Sequence, residues 1–308
     1  MRPNPQIVVL CGAISPEREV SLRSGRAVAA ALPGSVLVEL NENALPPWLQ
    51  GPGYVAFPVI HGDYGEDGQV QAELTRRQVP FAGCDEATSR LCIDKVATKR
   101  VMRQAGVPAI PEVAFSGQNL PTAEALVQTL GEEMVIKPAD KGSSVGLYVL
   151  KGREQIMAAL QELSPTGQWM AERRLRGREL SLGILNGQPM GIVEIVPMQG
   201  VYDYRTKYTA GASNYLFPAP IDAGFTAAIQ AQAANLFQAC GCRDFARADV
   251  ILEPDGKFYF LEINTMPGMT ETSLMPKSAS CLGLDFPALV QRMIAPALQR
   301  AHAASASC

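Results

Sequence analysis

The chain has 308 residues, 47% of them hydrophobic and 19% charged, with a formal net charge of −3. That length allows two or three domains with ample buried surface, and the slightly acidic balance gives no overall attraction to nucleic acid or an anionic membrane. Seven cysteines without a C-x-x-C pair do not read as a disulfide framework or a zinc site, and the apolar runs are too short for a signal peptide or a membrane span, so a reduced, cytoplasmic, soluble protein is expected.

Residues 6–10 read as a short buried strand. Ser15-Pro16-Glu17 is a helix start, with serine as N-cap, proline at the first position and an acid in the first turn. That helix runs through Val20, Ala27, Val28 and Leu32 to Pro33-Gly34. Residues 35–40 and 54–60 read as strands and 68–77 as a helix, an alternation that argues for a parallel sheet in an α/β unit. Asp94 caps a helix over 95–104 that ends at Gly106-Val107-Pro108. A helix over 122–130 precedes a hairpin of residues 134–138 and 145–150, then a helix over 153–163 and a strand over 168–171. Beyond Glu179 come the type I′ turn Asn186-Gly187, a polar loop over 202–214, a helix over 225–240, a second hairpin and a closing helix from Asp285 to about residue 300. Three units are expected, 1–93, 94–178 and 179–308.

The second hairpin carries the most chemistry. Arg247-Ala248-Asp249-Val250-Ile251-Leu252 and Phe258-Tyr259-Phe260-Leu261-Glu262-Ile263-Asn264 flank Pro254-Asp255-Gly256. With Asp255-Gly256 as a two-residue loop, Asp249 faces Glu262 and Arg247 faces Asn264. The opposite face pairs Ala248 with Ile263, Val250 with Leu261 and Leu252 with Tyr259. Like charges directly opposed destabilise a ladder, so the two carboxylates need a cation. With an amide oxygen beside them they make a hard-oxygen set of the kind Mg²⁺ takes beside phosphates; the alternative is a solvated polar face.

Other candidates are ambiguous taken singly. The loop Lys141-Gly142-Ser143-Ser144-Val145-Gly146 is an anion-binding concavity or a plain hairpin turn. Lys137 on an apolar strand is an edge charge or a phosphate ligand, and Lys95 and Lys207 are further isolated cations. Glu172 and Glu179 bracket Arg173-Arg174-Leu175-Arg176-Gly177, and either accept from an adenine amino group and ribose hydroxyls or pair with those arginines. Glu17 is explained by macrodipole compensation. Gly62, Gly65 and Gly68 mark a tight loop after a strand, where α/β folds bind ligands, and His61 reads there as a loop hydrogen-bonder. Pro267-Gly268-Met269-Thr270 is a turn or an oxyanion site beside Arg247.

The ordered set is more specific than its parts. It comprises Ser15-Pro16-Glu17-Arg18-Glu19-Val20-Ser21, His61-Gly62 with Gly65-Glu66-Asp67-Gly68, Asp94-Lys95, and Ile136-Lys137-Pro138 with Gly142 to Gly146. Tyr202-Asp203-Tyr204 with Lys207-Tyr208, Arg247 to Val250, and Glu262-Ile263-Asn264-Thr265-Met266-Pro267-Gly268-Met269-Thr270 complete it. Over essentially the whole chain this resembles the D-alanine–D-alanine ligase family of the ATP-grasp superfamily. The resemblance implies a three-domain α/β (α+β) ATP-grasp fold with a parallel-sheet N-terminal unit and ATP between the other two. It implies ATP-dependent joining of two D-alanine molecules through an acylphosphate, for peptidoglycan precursors, by a homodimer.

Residue by residue, the resemblance implies ATP contacts from Lys95, Lys137, Glu172, Leu175, Glu179, Lys207 and Asn264, with Ser143 and Ser144 over the phosphates. Asp249, Glu262 and Asn264 match ligands of two Mg²⁺ or Mn²⁺ ions. Glu17 matches the holder of the first D-alanine's ammonium, with His61 in that site; Arg247 and the Gly268 N–H match the oxyanion pair; Ser273 and Leu274 match the binders of the second carboxylate. Glu17, Ser143 and Tyr208 match a hydrogen-bonded set that joins a closing loop to the first-substrate site. The chain departs from the family pattern at Cys11-Gly12-Ala13, Arg173 and Val201. Tyr208 stands where depsipeptide-forming relatives tend to carry histidine, which argues against a D-lactate acceptor. A nucleotide-binding sensor without catalysis is disfavoured by Arg247, Asp249, Glu262 and Asn264 occurring together, and a Rossmann dehydrogenase by the lack of G-x-G-x-x-G.

Overall fold

The computed structural model describes residues 4–142, 146–198 and 213–306, which form three sheets. Strands β1 (Gln6–Gly12), β2 (Val36–Leu40) and β3 (Tyr54–Pro58) are parallel, in the order β2-β1-β3. Both faces of β1 are buried, as parallel sheets require. Val8 and Leu10 pack toward Val70 and Leu74 of α2 (Gln69–Arg76), and the alternate residue Val9 packs toward Val28 of α1 (Arg18–Ala31). The helix expected to open at Pro16 behind a Ser15 cap opens at Arg18, two residues later. Ser15 Oγ accepts from Glu17 N at 2.9 Å and Ser15 O from Arg18 N at 3.2 Å, so serine closes a turn before the helix and Glu17 takes the cap position.

Two helices follow without a break in the chain's course. Asp85 caps α3 (Glu86–Ile93), accepting from Thr88 N at 3.0 Å, and Asp94 caps α4 (Lys95–Gln104), accepting from Val96 N and Ala97 N. The sequence reading anticipated α4 and missed α3. The central sheet is antiparallel, with β4 (Glu112–Ser116), β5 (Glu133–Pro138), β6 (Tyr148–Lys151) and β7 (Gln168–Arg173) in the order β4-β7-β5-β6. Met134 and Ile136 of β5 pack beneath α5 (Ala123–Leu130) and α6 (Arg153–Glu162). The alternate residues Val135 and Lys137 line a cleft on the other face.

The third sheet runs β10-β9-β8-β11-β12, built from β8 (Arg178–Leu185), β9 (Gln188–Pro197), β10 (Ser213–Leu216), β11 (Phe245–Leu252) and β12 (Phe258–Asn264). Asn186 and Gly187 both have positive φ, 51° and 77°, as a type I′ turn between β8 and β9 requires. Leu236 of α7 (Ala223–Ala239) shares a core with Leu180, Ala248 and Phe260 of this sheet and with Cys92, Met102 and Val107, so apolar packing crosses the positions 93/94 and 178/179. The closing helix α9 (Phe286–Ala306) extends past residue 300 and packs Leu289, Val290 and Met293 against Val9 and Phe57 of the first sheet. Among the described residues no helix is long and apolar enough to cross a membrane.

The β11–β12 ribbon corrects the expected register in one half and keeps it in the other. The turn holds three residues rather than two: Glu253 N donates to Lys257 O at 2.8 Å, Gly256 N to Glu253 O at 3.0 Å, and Gly256 adopts φ 85°. Near the turn the rungs are therefore Leu252–Phe258, Ile251–Tyr259 and Val250–Phe260, not Leu252–Tyr259 and Val250–Leu261. A β-bulge at Leu261 then absorbs the extra residue and restores Asp249–Glu262, Ala248–Ile263 and Arg247–Asn264.

Candidate active site

A cleft of about 480 Å³ lies between the central and third sheets, within the size range of small-ligand sites. Val135, Lys137 and Glu172 line one wall; Glu179, Asp249 and Glu262 line the other. An apolar stretch made by Ile110, Val149, Ile251 and Leu261 adjoins the charged one. Leu261 reaches the cleft because it is the bulged residue: its neighbour Phe260 is fully buried in the core, yet Leu261 and Glu262 both face the opening. Leu175 completes the rim beside the arginines.

Across the third-sheet wall, Asp249 and Glu262 share a rung, as the sequence indicated. Asp249 Oδ1 accepts from Ser181 Oγ at 2.7 Å and from Arg247 Nε at 2.9 Å, and Oδ2 accepts from Arg247 Nη2 at 2.7 Å. Arg247, only 4% exposed, is thus held on its own strand by the residue two positions on. Glu262 keeps 27% of its side chain exposed, 3.7 Å from Lys95 Nζ. Asn264 Oδ1 accepts from Met266 N at 2.8 Å. Two opposed carboxylates and an amide oxygen fit a hard divalent cation. Among the described residues no group of three or more His, Cys, Asp or Glu side chains gathers to hold a metal, so the amide is needed to complete the set.

Three lysines complete the charged part of the site, Lys95 beside Glu262 and the other two around Glu172. Lys95 opens α4, and its Nζ donates to Lys141 O at 2.5 Å; burial pushes its pKa down and Glu262 partly restores it. Lys137 Nζ lies 2.6 Å from Glu172 Oε2. A third lysine, Lys99, is fully buried and lies 2.5 Å from Glu172 Oε1. Burial pushes the Glu172 carboxyl up, but the two ammonium groups outweigh it and hold it at about 2. Glu172 therefore pairs with lysines and not with the arginines beside it. Those find other acids: Arg173 pairs with Glu253 at 2.9 Å and lies over the Tyr259 ring, Arg176 pairs with Glu133, and Arg178 with Glu194. Arg173 thus ties the end of β7 to the hairpin turn.

A second group of residues lies at the end of the first sheet. Glu17 is buried, and its Oε2 and Ser15 Oγ would lie 3.4 and 3.0 Å from any Cβ at Gly62, whose φ is 81°. Only glycine fits that approach without strain. His61 acts as the hydrogen-bonder expected: its carbonyl accepts from Ser15 Oγ at 2.8 Å and its Nε2 lies 3.3 Å from Ser24 Oγ. Ser24 Oγ also accepts from Met269 N at 3.3 Å, joining this loop to the segment after β12. There, Gly268 backs onto Ser273, whose Oγ would lie 2.9 Å from a Cβ on Gly268 and accepts from Thr270 N at 3.0 Å. Ser273 occupies the N-cap position of α8 (Leu274–Ser280) without a side-chain capping bond, and Leu274 is buried, leaving its side chain in the core.

The sequence reading missed Lys99, Ser181 and Ser24. Lys99 had a signal, since it falls four residues after Lys95 and shares its helix face; the two serines had none, because their partners are distant in the chain. Ser143, Ser144, Lys207 and Tyr208 lie outside the described residues, as do Val201 and most of the polar loop.

Comparison with known proteins adds independent findings. Residues 101–295 match the family model described as D-ala D-ala ligase C-terminus. A D-alanine–D-alanine ligase of Syntrophotalea carbinolica is 39% identical over 96% of this chain and 97% of its own length. One from Magnetococcus marinus is 39% identical over 94% and 96%. Among solved structures, the D-alanine–D-alanine ligase from Bacillus anthracis complexed with ATP superposes with a TM-score of 0.82 at 24% identity, covering 97% of this chain and 99% of that one. The VanG D-Ala:D-Ser ligase from Enterococcus faecalis gives 0.82 at 27% identity, covering 96% and 100%.

Proposed function

The chain belongs to the D-alanine–D-alanine ligase family, and from that premise we propose that it joins two D-alanine molecules to D-alanyl-D-alanine at the expense of ATP. The observation that carries this reading is the Asp249–Glu262 rung with Asn264, with Lys95 beside Glu262 and Lys137 on the facing sheet, in a cleft of nucleotide size.

In this proposal the base lies against Leu261, Ile251 and Val149, and Glu172 and Glu179 accept from its amino group or the ribose hydroxyls. Lys95 and Lys137 bind the phosphates, with Ser143, Ser144 and Lys207 added from outside the described residues. Asp249, Glu262 and Asn264 would hold Mg²⁺ or Mn²⁺, which when bound neutralises charge on the phosphoryl oxygens. Glu17 holds the ammonium of the first D-alanine, with His61 supporting the loop, and orients its carboxylate toward the terminal phosphate. The carboxylate attacks the terminal phosphorus and ADP leaves. The amine of the second D-alanine, whose carboxylate Ser273 and the Leu274 N–H hold, then attacks the acylphosphate carbonyl, gives up a proton and expels inorganic phosphate. Arg247 and the Gly268 N–H stabilise the oxyanion that develops, and they act most strongly where water is excluded. Tyr208, with Ser143 and Glu17, would link the closing loop to the first-substrate site. The units 1–93, 94–178 and 179–308, a cytoplasmic homodimer and a role in peptidoglycan precursor synthesis belong to the same proposal.

Phosphate release from ATP tests it, with D-alanine, L-alanine, D-serine and D-lactate supplied singly and in pairs. Turnover with D-alanine alone is expected. Turnover that requires D-serine or D-lactate beside D-alanine would overturn the dipeptide assignment and leave the ligase chemistry standing.

A further inference from the structure

Lys95 and Lys137 are among the cationic side chains that line the cleft, yet neither is the most deeply buried lysine. Lys99 has no exposed surface and does not line the cleft. It stands one helical turn after Lys95 on α4, so both side chains leave the same face of the helix. Lys95 reaches the opening, and Lys99 reaches the interior behind Glu172. Its Nζ lies 2.5 Å from Glu172 Oε1 and donates to Ile110 O at 3.3 Å, while Lys137 Nζ takes the other oxygen at 2.6 Å. One carboxylate therefore sits between two ammonium groups, one behind it and one in the cleft.

Burying a lysine this completely carries a desolvation penalty that an apolar side chain of the same shape avoids, so its retention needs a reason. Charge balance supplies one. Paired with Lys137 alone, Glu172 would neutralise it, and the pair would offer no net charge to an anionic ligand. The second ammonium leaves the three groups with a surplus positive charge. Because Lys99 is walled off, that surplus is expressed at Lys137.

We propose that Lys99 is a positioning residue that compensates Glu172 from inside the fold, so that Lys137 presents an unneutralised positive charge to the phosphates of a bound nucleoside triphosphate. This rests on the nucleotide reading of the cleft.

Calorimetric titration of the intact protein with ATP, alongside steady-state kinetics, tests it. Lys99→Met keeps the stem and removes the charge; ATP affinity should weaken about tenfold or more, with KM for ATP rising more than kcat falls. Any contact Glu172 makes to ATP is lost equally in both backgrounds, so Lys99→Met should weaken ATP binding much less in a Glu172→Gln background than in the wild type, a coupling that lost packing does not produce. Unchanged ATP affinity in Lys99→Met, or the same loss from Lys99→Met whether residue 172 is Glu or Gln, overturns the inference. If Lys99→Met shows no cooperative thermal transition, Lys99→Gln carries the same comparison. Wild-type protein that fails to bind ATP overturns the nucleotide reading and this inference with it; binding indifferent to Lys99 overturns this inference alone.

Discussion

The two sheets that wall the cleft place their charges by different means. On the third sheet, Arg247, Asp249, Glu262 and Asn264 come from one ribbon, and ladder register alone puts them together. On the central side, the β5–β7 ladder sets Lys137 diagonally beside Glu172, and the packing of α4 brings in Lys99, 2.5 Å from the same carboxylate. A ribbon fixes a polar set through backbone hydrogen bonds, so a side-chain change there removes chemistry with little cost to the fold. A buried cluster assembled from three elements is part of the fold, so the same kind of change costs stability as well.

The largest expected effect comes from the ribbon. Glu262→Gln should lower turnover by about 10³-fold, while the thermal unfolding midpoint stays near wild type, because the side chain is partly exposed. A variant that retains turnover, or one that unfolds, would erase the distinction between the two walls. On the central side, Glu172→Gln leaves two buried lysines unpaired, and a loss of about 3–5 kcal/mol in urea unfolding is expected.

The same group sets an acid response. The folded carboxyl is held at about 2 against an ordinary value of 4.5. A depressed carboxylate contributes stability that is complete above its unfolded pKa and is lost as pH falls through the folded one. Stability worth about 3 kcal/mol should therefore disappear between pH 4.5 and pH 2, and acid titration of Glu172→Gln should lack that component. A smaller effect is expected at the bulge. Leu261→Ala trims apolar surface from the cleft without touching the acids, so KM for ATP should rise about fivefold, from roughly 1 kcal/mol of lost burial, with kcat nearly unchanged. Least of all, Arg173→Ala removes an ion pair whose arginine is 37% exposed. It should cost less than about 1 kcal/mol in unfolding and leave ATP affinity close to wild type.

The contrast also explains what the sequence made legible. Asp-Gly between two β-prone runs announced the ribbon, and period-2 alternation then forced Asp249 and Glu262 to the same face. The two-residue turn was wrong, and Leu261 compensated for it: a bulge leaves no signature in an apolar run, so only the rungs near the turn were misassigned. Caps were equally legible where a side chain accepts locally, as at Asp94, whereas Ser15 closes a turn instead because its hydroxyl also donates to His61 O. Glu172 was flagged, but its neighbours in sequence pointed to arginine partners. The lysines that bind it are 35 and 73 residues away, and no local pattern encodes such a distance. Helices α3 and α8, each under nine residues long, were missed for want of periodicity.

A crystal structure of this protein with Mn²⁺ and a non-hydrolysable ATP analogue tests the central claim most directly, that the ribbon, Lys95 and Lys137 grip one triphosphate. Anomalous density among Asp249, Glu262 and Asn264, with the phosphates reaching Lys95 and Lys137, is the predicted result. Manganese bound elsewhere, or a nucleotide lying outside the cleft between the two sheets, would contradict it.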